Sequence, residues 1–249
     1  MGLDGIFSKI AKFKRKAFLP ITAQGDSGPL DSKFSGIPFL EEGEKWPVCP
    51  NCKKPMQLFL QLNLDEAKKQ TKQDCGSGLF QLFYCTSDTE PRCDTVCDGN
   101  VPEGTCELVR VIIPKGKPQN IVVPKLEPNQ IKPVKITGWM EVEEFPSGTE
   151  IQELNLDEKI AEDYELIEKI DDENNTIQQK DKLGGWPFWI QSPWLLECKK
   201  CGKPMQLFFQ LCSQAIPEAS LDYFFCDGIG YIFQCPQHKE EVVFFYQES

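Results

Sequence analysis

A cysteine-led phrase occurs twice in this chain, as CPNCKKPMQLFLQL at Cys49 to Leu62 and as CKKCGKPMQLFFQL at Cys198 to Leu211, with ten of 14 positions identical. The same 149-residue offset carries the likeness upstream without a gap, where SKFSGIPF from Ser32 matches DKLGGWPF from Asp181 in Lys, Gly, Pro and Phe. After one inserted residue, GLFQLFYC ending at Cys85 faces GIGYIFQC ending at Cys235. An apolar run then closes each copy, ELVRVII at Glu107 and EVVFFYQ at Glu241. Two copies make a duplication rather than a solenoid, because a solenoid needs several stacked units to bury its faces. The expected fold is therefore α+β and strand-dominated, with two duplicated β-rich halves packed as one pseudo-symmetric unit around a shared core.

The runs MQLFLQL, LFQLFY, VRVII, YIFQ and VVFFY are rich in aromatic and branched residues and show no 3.6-residue stripe, so they read as strands. Pro55 and Pro204 stand just before two of them, where a strand tolerates proline. The first half is expected over residues 30–113 and the second over 181–249, each with a metal knuckle. Residues 114–180 form a connection that opens with five prolines between Pro114 and Pro133, followed by a strand at KITGWMEVEEF and one amphipathic acidic helix carrying Leu156, Ile160, Tyr164, Ile167 and Ile170. DDENNTIQQKDK after it reads as a solvated loop. Over residues 1–20, Ile6, Ile10, Phe13 and Ala17 among lysines predict a basic amphipathic helix, able to dock on its own domain or make peripheral contact with a membrane surface or partner.

The formal net charge of −11 is concentrated. Between Glu141 and Asp181 stand 15 Asp and Glu against three Lys, a local net of −12 that leaves the remainder at +1. With three arginines in the chain, this is not a nucleic-acid-binding composition. No apolar run approaches the ~20 residues of a membrane span, and the N-terminus lacks the apolar core of a secretory signal. The expected compartment is the cytoplasm, with the mitochondrion as the alternative raised by the basic N-terminal segment.

Twelve cysteines in a reducing compartment point to metal or redox chemistry rather than to disulfides. In the second copy Cys198-x2-Cys201 and Cys235-x2-His238 pair their donors across tight turns, and His238 is the one histidine of the chain. Three thiolates and an imidazole complete a tetrahedral zinc shell. The first copy supplies Cys49, Cys52 and Cys85 by alignment, with Cys93 or Cys97 as fourth donor. Cys93 is preferred because it closes the shorter loop. The second and third donors are separated by 32 residues in one copy and 33 in the other. Two zinc ions are expected. Cys75, Cys106, Cys212 and Cys226 read as ordinary thiols.

Full four-donor shells disfavour hydrolysis, since catalytic zinc keeps an open position. The chain carries no HExxH, no GxSxG and no phosphate-cradling glycine loop. The expectation is a non-enzymatic, zinc-stabilised interaction or scaffold protein with an unidentified protein partner. The rivals are a chaperone-like binder of a basic client and a metal-dependent hydrolase.

Taken together, GIPF with WPVCPNCKKPMQLFLQLNL, then GLFQLFYC, then GGWPFWIQ with CKKCGKPMQLFFQL, and finally GYIFQCPQH with VVFFYQ resemble the YwqG-like family, a domain of unknown function. The resemblance runs from about Gly36 to Gln247. It implies an α+β fold dominated by strands and built from two related halves. Bacterial members often lack the cysteines, which implies that zinc here stabilises rather than catalyses. More distantly, the doubled Gly-Pro opening with C-x2-C and a strand resembles the programmed cell death protein 2 family. That resemblance implies a chaperone of a newly made ribosomal protein, although the CPQH ending departs from it.

Overall fold

RKAFLPITAQ, the segment Arg15–Gln24, is a β-strand and not the end of a helix. Ala17, Phe18 and Leu19 are buried in succession, a pattern that suits a strand covered on both faces. We describe a computed structural model over residues 8–87, 89–90, 93, 101–102, 104–127, 130–212 and 228–248, with the side chains of 173–178 set aside. The basic helix expected over residues 1–20 is thus corrected. Its described part is a short helical turn followed by a 3-10 turn at Ala11–Phe13, and strand β1 begins at Arg15. Long-range pairing wins over local periodicity here, because β1 is held by strands on both sides.

The remaining strands are β2 (Lys33–Phe34), β3 (Gln57–Asn63), β4 (Leu79–Tyr84), β5 (Glu107–Ile112), β6 (Val134–Glu144), β7 (Lys182–Gly184), β8 (Gln206–Cys212), β9 (Ile229–Gln234) and β10 (Val242–Gln247). They form one ten-stranded antiparallel sheet in the order β10-β9-β8-β7-β1-β6-β2-β3-β4-β5. The long pair β1/β6 lies at the centre, and each side of it carries a short strand followed by three longer ones. The outermost strands β5 and β10 approach each other, so the sheet curls into a near-barrel. Phe34 meets Phe209, Phe80 meets Phe208, and Tyr84 meets both Phe244 and Tyr246. These residues from the two sides of the sheet share one core, while Tyr231, Phe233 and Phe245 form a second cluster with Trp189 and Trp194 packed against it.

Besides the N-terminal turn, the described residues form four helices beside the sheet: α1 (Leu64–Thr71), α2 (Gly148–Glu153), α3 (Glu158–Ala161) and α4 (Tyr164–Gln178). Asn63 caps α1 by accepting from the Glu66 N–H. The single acidic helix expected from the sequence is three helices. Asn155 takes a left-handed φ of 44°, and Asp157 and Asp163 cap new starts. Ile160, Ile167 and Ile170 are buried as expected and enclose Ile10 of the N-terminal turn, whereas Tyr164 is 76% exposed. Helix α4 also runs to Gln178, through most of the stretch expected to be a loop. The N-terminal lysines are neutralised at home: Lys12, Lys14 and Lys16 pair with Asp157, Glu143 and Glu141. Among the described residues, no helix is long and apolar enough to cross a membrane.

Candidate metal centres

Each C-x2-C pair sits in a tight turn that delivers the chain into a core strand. At the first, Cys49 N–H donates to the Lys54 carbonyl at 2.8 Å and Lys53 N–H donates to the Cys49 carbonyl at 2.9 Å. At the second, Cys198 N–H donates to Lys203 at 2.9 Å and Gly202 N–H donates to Cys198 at 2.7 Å. Bridges Val48 to Pro55 and Glu197 to Pro204 close the two loops. The turn reverses at Lys53 (φ 64°) and Gly202 (φ 65°), the left-handed conformation that glycine adopts without strain.

The third donor follows from the hairpin. Gln57 pairs with Tyr84 and Gln206 with Gln234, so a cysteine just after β4 or β9 lies beside the knuckle just before β3 or β8. Cys85 and Cys235 occupy those positions. Their N–H groups are fixed by Cys106 (2.8 Å) and Glu241 (3.0 Å) across the sheet.

Two closed sets result. Cys49, Cys52, Cys85 and Cys93 form one, and Cys198, Cys201, Cys235 and His238 form the other, each with its four ligand atoms within 4.8 Å of one another. A tetrahedral thiolate shell with bonds near ~2.3 Å has edges of ~3.8 Å. The contacts agree: Cys49 to Cys93 Sγ is 3.4 Å, Cys52 to Cys85 3.5 Å, and Cys201 to Cys235 3.7 Å. His238 Nδ1 lies 3.8 Å from both Cys198 and Cys235. All are far longer than the ~2.05 Å of a disulfide. Cys93 itself is disulfide-bonded in this structure, so the four-sulfur set is complete as ligands only in its reduced form. Either set could hold a metal ion.

Burial pushes the Cys85 thiol up. It pushes Cys235 up as well, yet the N–H groups of His238 and Gln237, donating to its sulfur at 3.3 and 3.4 Å, bring it down to about 6. Cys75 and Cys106, outside both sets, are pushed up by burial to about 11 and about 12, which suits inert thiols. Cys212 is buried at the end of β8. Cys97 and Cys226 lie outside the described residues.

The motif SKFSGIPF/DKLGGWPF proves to hold two buried lysines that spacing did not reveal as such. Lys33 and Lys182 are both fully buried, paired with Asp26 at 3.1 Å and Glu144 at 2.8 Å. The same carboxylates accept from the N–H groups of Ile37 (3.1 Å) and Trp186 (2.9 Å). Gly36 and Gly185 make room: a Cβ there would meet the Asp26 and Glu144 oxygens at 2.6 and 2.2 Å. The buried glutamines Gln61 and Gln210 each accept from a loop N–H, of Phe39 and Phe188, and donate to loop carbonyls, Pro29 and Asp31 for one and Lys180 for the other.

No curated protein sequence matches the chain. A family model does, over residues 32–240, spanning both cysteine sets. By that match the chain belongs to the family described as Domain of unknown function (DUF1963), the YwqG-like family.

Proposed function

We propose that the chain is a non-catalytic interaction or scaffold protein whose sheet arose by duplication and is pinned by two zinc ions, one in each half. The observation that carries this reading is the convergence of four protein ligand atoms in each set, which, with Cys93 reduced, leaves no position for a substrate or an activated water. Sulfur-rich tetrahedral sets of this kind select zinc over harder cations.

Duplication is supported bond by bond. Register shifts fall at Leu58/Leu60 and Leu207/Phe209, 149 residues apart. The Met56 to Pro47 and Met205 to Leu196 hydrogen bonds, and the Gln61 and Gln210 anchors on Phe39 and Phe188, recur at the same offset, as do the buried Lys33 and Lys182, whose counter-ions Asp26 and Glu144 stand at unmatched positions. The β1/β6 pair supplies one central strand to each half.

Metal content per chain tests the reading. Two zinc ions in the reduced wild type, falling to one in Cys52→Ser and to one in Cys201→Ser, is the expected result. A wild-type protein holding less than one zinc overturns it.

A second reading, suggested by the resemblance to the programmed cell death protein 2 family, is a binder of a basic client. It is favoured by the exposed carboxylates Glu153, Glu158, Glu162, Asp163, Glu165 and Glu168 on helices α2 to α4 and their turns. Charge-reversal of Glu158, Glu162, Glu165 and Glu168 to Lys should abolish capture of a basic partner from lysate; an unchanged partner set rejects this reading.

A further inference from the structure

At the entry to β1 the cations Lys14, Arg15 and Lys16 alternate between two fates. Lys14 and Lys16 reach Glu143 and Glu141 on β6 at 2.8 Å each. Arg15, between them, faces Glu144 in the strand register. That carboxylate is consumed by the Lys182 ammonium and the Trp186 N–H. The other nearby acid, Glu150, is 1% exposed and already accepts from the Ser147 N–H at 3.0 Å and from Trp189 Nε1 at 3.3 Å. Among the described residues, no carboxylate lies within ion-pair distance of Arg15. Its guanidinium carbon instead sits over the Trp186 ring, 3.3 Å from the centroid. Stacking of this kind fixes the plane of the group and leaves its edge, with paired N–H donors, free to meet an oxyanion.

Arg15 lies on a cavity of about 290 Å³ whose other walls include Trp189, Trp194, Met205 and Phe233. Trp189 is stacked against Tyr231 at 5.0 Å and Phe233 at 5.8 Å, and Trp194 against Phe245 at 5.2 Å, so these walls are rigid. Glu150, buried and already hydrogen-bonded, and the exposed Glu197 also line it, and Arg15 is the one cation of the lining. A largely apolar, aromatic-lined cavity with one cationic fork has the composition of a small-molecule site. The geometry points to a binding site for a small carboxylate with a flat apolar body, the carboxylate meeting the Arg15 edge and the body lying between the aromatic walls. A cationic ligand fits poorly, since the guanidinium already occupies the Trp186 face. This site goes beyond the scaffold reading and does not depend on which metal the cysteines hold.

The probe for the test is 2-naphthoate, with 2-naphthalenemethanol as its neutral analogue and 2-naphthylmethylammonium as its cationic one, titrated into the full chain. Calorimetry and tryptophan fluorescence serve as readouts. Saturable binding of 2-naphthoate is expected, with the neutral analogue at least ~10-fold weaker, the contribution of one charge-assisted hydrogen-bonded pair. In Arg15→Gln, with its folding checked by Tm, that difference should vanish, and Arg15→Lys should recover it in part. If Arg15→Gln does not fold, the comparison of the three probes on wild type still decides. Absence of saturable binding, equal affinity for acid and alcohol, or preference for the ammonium each overturns the proposal.

Discussion

The Lys182 ammonium is fully buried and lies 2.8 and 2.9 Å from the two oxygens of Glu144, which is 3% exposed. The equivalent ammonium of Lys33 is as deeply buried, but the side chain of its partner Asp26 is 31% exposed. The two sides of the sheet thus hold a buried cation with different access to water. Burial lowers the pKa of both lysines, while the facing carboxylate works in the opposite direction.

Removal of one partner from a sealed pair leaves an uncompensated charge, which costs about 3–5 kcal/mol. Glu144→Gln is therefore expected to lower unfolding free energy by at least ~3 kcal/mol in a urea titration. Asp26→Asn should cost less, because water can reach the vacated side. Equal losses in the two variants would refute the distinction.

Metal removal should loosen both knuckles together with the strands they feed. Structural zinc bound only by the folded state adds its binding free energy to stability. A strong zinc chelator under reducing conditions is expected to lower Tm by at least ~10 °C, with Cys52→Ser and Cys201→Ser each showing a smaller chelator effect. A Tm indifferent to chelator would count against zinc as a structural element.

Asp181 gives the molecule a pH dependence. Burial pushes its carboxyl up to about 8, and although Oδ1 accepts from the Cys212 N–H at 2.8 Å, Oδ2 is buried with no hydrogen-bond partner. The folded-state pKa lies above the ordinary carboxylate value, so the folded state binds the extra proton. The stability it contributes is complete below pH ~4 and is lost as pH rises through about 8. Glu150, raised by burial to about 8, acts with the same sign. Zinc-saturated protein should lose Tm between about pH 5 and 8, and Asp181→Asn, which cannot ionise, should exceed wild type by at least ~3 °C at pH 9. A parallel decline in both proteins would discount Asp181.

The left-handed turn of the first knuckle rests on Lys53, where the second has Gly202. Lys53→Gly relieves the Cβ strain at φ 64° but frees the unfolded chain, two effects of opposite sign. Relief of strain, on the order of 1 kcal/mol, is expected to prevail by a few tenths, seen as a small rise in the urea midpoint. A fall of the midpoint would show that the loss of chain entropy dominates.

The two candidate donor sets were legible because donors in a knuckle keep short, fixed spacings. Cys49, Cys52, Cys198, Cys201, Cys235 and His238 could be grouped from spacing and repetition before any contact was known. Strands β3, β4, β8 and β9 were legible for a related reason, since their apolar runs lie beside those donors. Strand β1 was not. Its lysines and apolar residues mimic helical spacing, and the pairing with β6 that makes it a strand spans more than a hundred residues. The acidic segment misled in the opposite way: its apolar spacing is helical, but capping Asp157 and Asp163 divide it, and caps outweigh a continuous stripe. Arg15 as a candidate anion anchor had no sequence signature, because its significance depends on Glu144 being engaged elsewhere.

The family match begins at residue 32, beyond the end of β1 at Gln24, and stops at 240, before β10 begins at Val242. A recombinant fragment cut to those limits would lack the strand that joins β6 to β7 and the strand that covers β9. It would also lose Asp26, the counter-ion of Lys33. Such a fragment presents fresh, unpaired edges at mid-sheet and at one rim, which is a recipe for aggregation. The smallest expressible unit of this fold therefore extends past its recognisable homology at both ends.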